Sequence, residues 1–430
     1  MSDKTISKLL EAQTQIHYTG NNPPSGAAQG YKASAVPSKS SSNALELAFY
    51  LCGGLSCFMV TYCMMSLVHY WKDTYGATGY IEMVFFSNVG GFTAFLIYMR
   101  VFTKIRTQTV LLTVPSINLG LVALLIFAGK WIPDQRSVPK IVINGVANFI
   151  FGMLLFVLRY TYSSLVFKRG SSQVAFYNAG MPISGICNTV IGMILVSTLH
   201  HVERFEKAVY YIGFQALTLT VILVVNLAYF KKIRGTELLK ISKGEVPKPT
   251  SNGNPQVFDT SSLCTTMKLS YPMMYDTFFL WSVTMMILPN MIWALGLGWQ
   301  NKSLEPLFCV LVYVVCDFTG RLSYSKFVLT STMACHYIGL FRVIFIAVPL
   351  YAYSGLPASE RLLKNQYITL PYIVVHALIT GYVSSSQMHI TGRRVAPRHK
   401  DNAAYLITLS TLCGLLFGSM CNLLALRLDN

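Results

Sequence analysis

Leu307-Phe-Cys-Val-Leu-Val-Tyr-Val-Val-Cys-Asp-Phe-Thr-Gly-Arg321 is an apolar run that ends by admitting an aspartate and an arginine, Asp317 and Arg321, four residues apart. On an α-helix a spacing of four turns by about 40° and rises about 6 Å, so both charged groups lie on one face and can meet. If the run crosses a bilayer, each charge costs about 2.5–3.5 kcal/mol even on lenient insertion scales, and charges held at that cost are seldom idle. The stretch therefore predicts a membrane-spanning helix with a functional ion pair.

Composition supports the membrane reading independently. Hydrophobic residues make up 53% of the 430 and charged residues 12%, where a soluble domain carries about 25% charge. Covering a hydrocarbon core of about 30 Å takes about 20 apolar residues. Eleven windows qualify: 44–69, 78–99, 107–129, 141–167, 172–199, 208–230, 273–297, 304–325, 327–353, 366–390 and 402–426. Residues 1–43 are rich in Ser, Pro, Gly and Asn, contain no cleavable signal pattern, and read as a disordered tail.

A net charge of +17 could point to nucleic acid, but its distribution points to topology. With the N-terminus in the cytoplasm and eleven alternating spans, inner segments hold 21 Lys/Arg and outer segments ten; Arg159, Arg321 and Arg342 lie within spans. This excess predicts an inner N-terminus and an outer C-terminus by the positive-inside rule. Asn301-Lys302-Ser303 then falls in an outer loop as a glycosylation pattern, one that also arises by chance.

The longest polar interruption, residues 231–271, divides the spans into six (44–230) and five (272–426). Pro, Gly and Asn crowd it, so a flexible cytoplasmic connector is expected, its basic residues serving topology and anionic lipid. Six plus five spans allow two pseudo-related bundles with a site between them.

Nine of the ten cysteines fall in apolar spans, Cys264 lies in the connector, and none forms a Cys-x-x-Cys pair, so neither a zinc site nor a disulfide framework is expected. P-loop, dinucleotide-binding and metalloprotease motifs are missing. ATP-driven transport, enzymatic chemistry and a cofactor are not expected.

The remaining polar residues within spans divide by depth. Arg159 reads as a side chain reaching from the inner end of its span to the headgroups. Arg342 is more central and calls for a buried partner, an aspartate or glutamate on another helix. Asp276 and Glu82 sit near span starts, where interfacial solvation competes with a protonatable coupling role. His336 and His376 read as hydrogen-bonded interior histidines, with a role in proton coupling as the alternative. Gly90-Gly91, Gly180 and Gly185 are expected to permit close helix packing.

Asp317-Phe-Thr-Gly320-Arg321 in the eighth span resembles the Asp-x-x-Gly-Arg signature that equilibrative nucleoside transporters carry in their eighth span. Val283-Thr284 followed by Pro289 is similar to that family's seventh-span pattern, and Gly180-Met-Pro-Ile-Ser-Gly185 to its fifth-span glycine cluster. Gly381-Tyr382, Val395-Ala-Pro397, Ala403, Leu412-Cys-Gly414 and Gly418 follow at matching intervals. The resemblance covers most of residues 44–426 and is strongest after 270. It implies an all-α polytopic membrane protein with a major-facilitator-like, alternating-access architecture, and a nucleoside or nucleobase substrate at Asp317 and Arg321. No nucleic acid and no obligate protein partner are implied, and the plasma membrane is the expected location.

Two departures bear on selectivity. Where the family's first span carries a Leu-Pro-Trp-Asn element, this chain has Phe58-Met59-Val60, which makes Met59 a candidate wall residue. The fourth-span Gln that contacts the base in characterised members falls at Phe151 or a neighbour. The sugar end of the site is retained and the base end rewritten, so substrate class is expected to hold better than substrate identity.

Chemistry favours the retained pair without the family. Vicinal sugar hydroxyls donate and accept, and a carboxylate beside a guanidinium supplies the matching acceptor and fork of donors. A salt bridge that merely neutralises two buried charges is the alternative. Facilitative transport, proton-coupled transport through Asp276, Glu82 or His376, and a non-transporting receptor or scaffold all stay open at this point.

Overall fold

The computed structural model describes residues 44–428 apart from 77–78, 102–106, 133–136, 168–170, 200, 243–259, 294–296, 298, 300–303, 328, 330, 348–364 and 396–398. The N-terminal tail, the Asn301 pattern and the middle of the connector lie outside the described residues. Twelve α-helices are described: α1 Ala44–Ser66, α2 Val68–Tyr75, α3 Gly79–Val101, α4 Thr107–Trp131, α5 Val138–Phe167, α6 Ser171–Thr198, α7 Arg204–Ser242, α8 Thr260–Trp293, α9 Glu305–Lys326, α10 Thr332–Phe341, α11 Gln366–Arg394 and α12 Lys400–Leu428. A 3₁₀ turn, Arg342–Ile346, prolongs α10. The short α2 continues the first span, because Trp71 N–H donates to the Leu67 carbonyl across the junction.

Eleven helical segments thus fall on the eleven predicted windows, and nine described helices are long and apolar enough by themselves to cross a membrane. The other two have local reasons. Along α8, Lys268 and Asp276 and many Ser, Thr and Tyr residues lower the hydropathy, and only part of the ninth window is described. The fold is all-α and polytopic. Large apolar side chains stand exposed along α4, α5 and α7, as with Leu124, Val142 and Leu217; in an all-helical chain of this kind such faces belong against lipid.

The packing repeats with a period of six spans. In the first half α1 packs on α6 and α3 on α5; in the second half α8 packs on α12 and α9 on α11. Counted as spans, pairs 1–5 and 2–4 become 7–11 and 8–10. Contact between the halves runs through α6 on α9 and α3 on α12, and the same shift of six exchanges these two pairings.

Glycine makes each of the four crossings close. A Cβ on Gly54 would meet the Tyr177 carbonyl oxygen, and one on Gly180 the Leu51 carbonyl, which draws α1 onto α6. Gly90 and Gly152 do the same between α3 and α5, and Gly414 and Gly418 between α12 and α8. In the fourth crossing Gly320 abuts the Leu378 carbonyl and Gly381 the Asp317 carbonyl. Without aqueous hydrophobic drive between helices in lipid, such close backbone approach is a main source of association.

The described residues of the segment 231–271 are helical. Residues 231–242 extend α7 and residues 260–271 open α8. Lys, Leu, Glu and Arg are good helix formers, and a helix already nucleated in the span propagates into them at little cost.

Candidate functional site

The Gly320/Gly381 crossing sets the pair that opened the sequence reading. Arg321 Nε donates to Asp317 Oδ2 at 2.9 Å, with the two side chains only 5% and 4% exposed. The other end of the guanidinium lies 3.5 Å from Ser384 Oγ and 3.7 Å from Met181 Sδ, contacts too long to satisfy it fully. Asp317 Oδ1 is buried and has no hydrogen-bond partner among the described residues. A buried acceptor left unmade costs on the order of 1–3 kcal/mol, more when charged, and calls for an explanation.

Both residues face a cavity of about 990 Å³ between the halves. Phe58 and Tyr62 of α1, Asn88 of α3, and Phe151 and Arg159 of α5 wall it from the first half. Trp281 and Thr284 of α8, Tyr313 of α9 and Thr380 of α11 wall it from the second. A smaller chamber of about 630 Å³ adjoins it, sharing Phe58, Arg159, Met181 and Trp281 and adding Thr277, Ser384 and Gln387. The arrangement suits a flat, partly polar solute: aromatic side chains, hydroxyls and amides in the lining, and one ion pair with an acceptor left unpaired.

The other predicted residues fall in different places. Phe151 lines the cavity, whereas Met59 is buried in the core and its neighbour Phe58 faces the space instead. Asp276 is paired with His336 of α10, and neither lines either chamber. Glu82 lies half-buried in the first turn of α3, also away from the lining. His376 is fully buried behind the cavity wall, 3.4 Å from Arg342.

Arg342 is central, as expected, but its bonding partners are not acidic. It donates to the Leu280 carbonyl at 3.0 Å, to Thr284 Oγ1 at 2.8 Å and to Thr380 Oγ1 at 2.9 Å. Neutral oxygens on two helices thus do the work a carboxylate was expected to do, and two of them belong to residues that line the cavity. Arg159 corrects the sequence reading outright. Its guanidinium does not run to the headgroups; it lies 4.2 Å from the Phe58 ring centroid and lines both chambers. Phe58, Tyr62, Tyr313 and Trp281 were also missed, for aromatic residues are common in every span and spacing alone does not say which turn inward.

No protein-family model matches the chain. Two solved structures share its fold. A bacterial homologue of the iron transporter ferroportin, in an outward-facing state, aligns with a TM-score of 0.56 at 13% identity, over 89% of this chain and 94% of that one. The Major Facilitator Superfamily transporter FucP, in the outward conformation, gives 0.51 at 11% identity over 90% and 98%. The helical order and these likenesses define an all-α, polytopic membrane fold of the major facilitator type. Among curated proteins, Equilibrative nucleoside transporter 2 of Homo sapiens is 23% identical over 190 residues. That match spans 43% of this chain and 40% of the length of the human protein. Over that stretch the chain is similar to an equilibrative nucleoside transporter, and it spans less than half the length of that relative.

Proposed function

We propose that this protein is a facilitative carrier of nucleosides, with nucleobases as further candidates, working by alternating access at the Asp317–Arg321 cavity. The observation that carries the reading is Asp317 Oδ1, a buried acceptor without a partner among the described residues, on a residue that lines a cavity built by both halves. A sugar hydroxyl would donate to Oδ1 while another accepts from the Arg321 guanidinium, so the ligand completes a hydrogen-bond set the protein leaves open. The likeness to the human nucleoside transporter supports the substrate class. Rocking of the two six-span-related halves about the cavity would expose it to each side in turn. Uptake of labelled nucleoside into vesicles containing the purified protein, competed with ribonucleosides, deoxyribonucleosides and free bases, tests the reading. Absence of flux for all of them would favour a receptor or scaffold.

Coupling to protons is not part of the proposal. Among the described acidic residues only Asp317 lines the chambers, and its carboxylate is engaged by Arg321. Collapsing the proton gradient with a protonophore should therefore leave the rate of nucleoside entry unchanged. Loss of accumulation on collapse, with uncoupling by Asp276→Asn, would make the protein a symporter.

The positive-inside excess supports an inner N-terminus and connector and an outer C-terminus. An epitope inserted near Asn254 should be reached by antibody only after permeabilisation of cells. Labelling of intact cells would invert the topology.

A further inference from the structure

Arg159 is the polar group in the cavity for which the sugar-binding pair leaves no task. It projects from α5, in the half opposite Asp317 and Arg321, and stands at the junction of the two chambers. Its Nε is buried without a hydrogen-bond partner, and no carboxylate lies within ion-pair distance of it among the described residues. Arg159, Arg321 and Asp317 are the charged residues in the lining, which leaves one positive charge in excess. The Phe58 ring, 4.2 Å away, offsets part of the cost of that charge through its face. Stacking uses the flat side of a guanidinium and leaves the in-plane fork of N–H donors available.

We propose that Arg159 reads the base end of the substrate and selects 6-oxopurine nucleosides over 6-aminopurine ones. The inference rests on the carrier reading above, in which Asp317 and Arg321 hold the sugar. A fork of two donors is matched by two neighbouring acceptors, which hypoxanthine and guanine present as O6 and N7. Adenine presents N7 beside an amino donor, and that donor meets the guanidinium with like polarity. Phe58 and Trp281, shared by both chambers, offer faces for the ring. A nucleoside held this way bridges α5 of one half and α9 of the other, so its binding is sensed by both moving parts.

Affinities of inosine and adenosine for the purified wild-type protein, read as ligand-dependent shifts in thermal unfolding, test this directly. Inosine should bind about tenfold more tightly, the discrimination a single two-donor contact gives. In Arg159→Gln, which removes an uncompensated charge and strands no partner, the preference should fall to about twofold or less, since the fork is gone. Equal affinities in the wild type, or a preference that survives the substitution, would overturn the assignment. The wild-type comparison decides the matter even where the variant is poorly made. Binding of neither nucleoside would be a different failure, that of the carrier reading itself.

Discussion

Asp317→Ala is expected to abolish nucleoside uptake, and Arg321→Lys to fail nearly as badly. The alanine removes both the accepting oxygens and the countercharge of a guanidinium only 5% exposed, and breaking one side of a buried pair costs about 3–5 kcal/mol. Spread over binding and transport, that is a loss of roughly two to three orders of magnitude. Lysine keeps the charge but loses the planar fork, including the Nε that donates to Asp317 at 2.9 Å. Initial rates of labelled uptake, normalised to protein in the membrane, measure both. Near-normal uptake by Arg321→Lys would mean that charge alone suffices and that the fork has no part in recognition.

The second large effect is expected at Gly381. A side chain there has to occupy the position of the Asp317 carbonyl oxygen, and backbone cannot yield as a flexible side chain can. Gly381→Leu should force α9 and α11 apart, remove Ser384 from its place beside Arg321 and Thr380 from Arg342, and destabilise the protein by more than the ~1–3 kcal/mol usual for overpacking. Its thermal unfolding midpoint in detergent should fall markedly and transport should be lost. Gly120, on α4, has open space where a Cβ would go, so Gly120→Ala serves as the neutral control. A Gly381→Leu protein with the midpoint and activity of the control would show that this crossing does not shape the site.

How much of this was legible in the sequence depends on what each residue answers to. The spans answer to the bilayer, which acts on every residue of a window alike, so eleven apolar runs predicted eleven helical segments. Asp317 and Arg321 were legible because charges in an apolar run are costly and their spacing puts them on one face. Arg159 answered to something else. It lies eight residues before the end of α5 at Phe167, where a charge looks close to the headgroups. Only the packing of α1 shows Phe58 waiting under it.

The Met59 and Phe58 exchange has the same origin. Neighbours on a helix point about 100° apart, and an apolar span carries no polar stripe to fix its rotation. Arg342 misled in another way, since a search for a carboxylate partner overlooks two hydroxyls and a backbone carbonyl placed together by two helices. The six-span recurrence was invisible for the opposite reason: it is a repeat of packing, carried by glycines at the crossings, with no sequence repeat to match.

The central claim is that the Asp317–Arg321 pair recognises substrate, and the neutral double variant Asp317→Asn with Arg321→Gln separates that from charge balance. Each single change strands a buried charge, so lost protein could imitate lost recognition; the double change strands none. Uptake of labelled nucleoside by the double variant, at measured membrane abundance, is the decisive measurement. Abundance close to wild type with no nucleoside uptake is the predicted result. Abundance close to wild type with near-normal affinity and rate would make the pair a structural salt bridge and contradict the account.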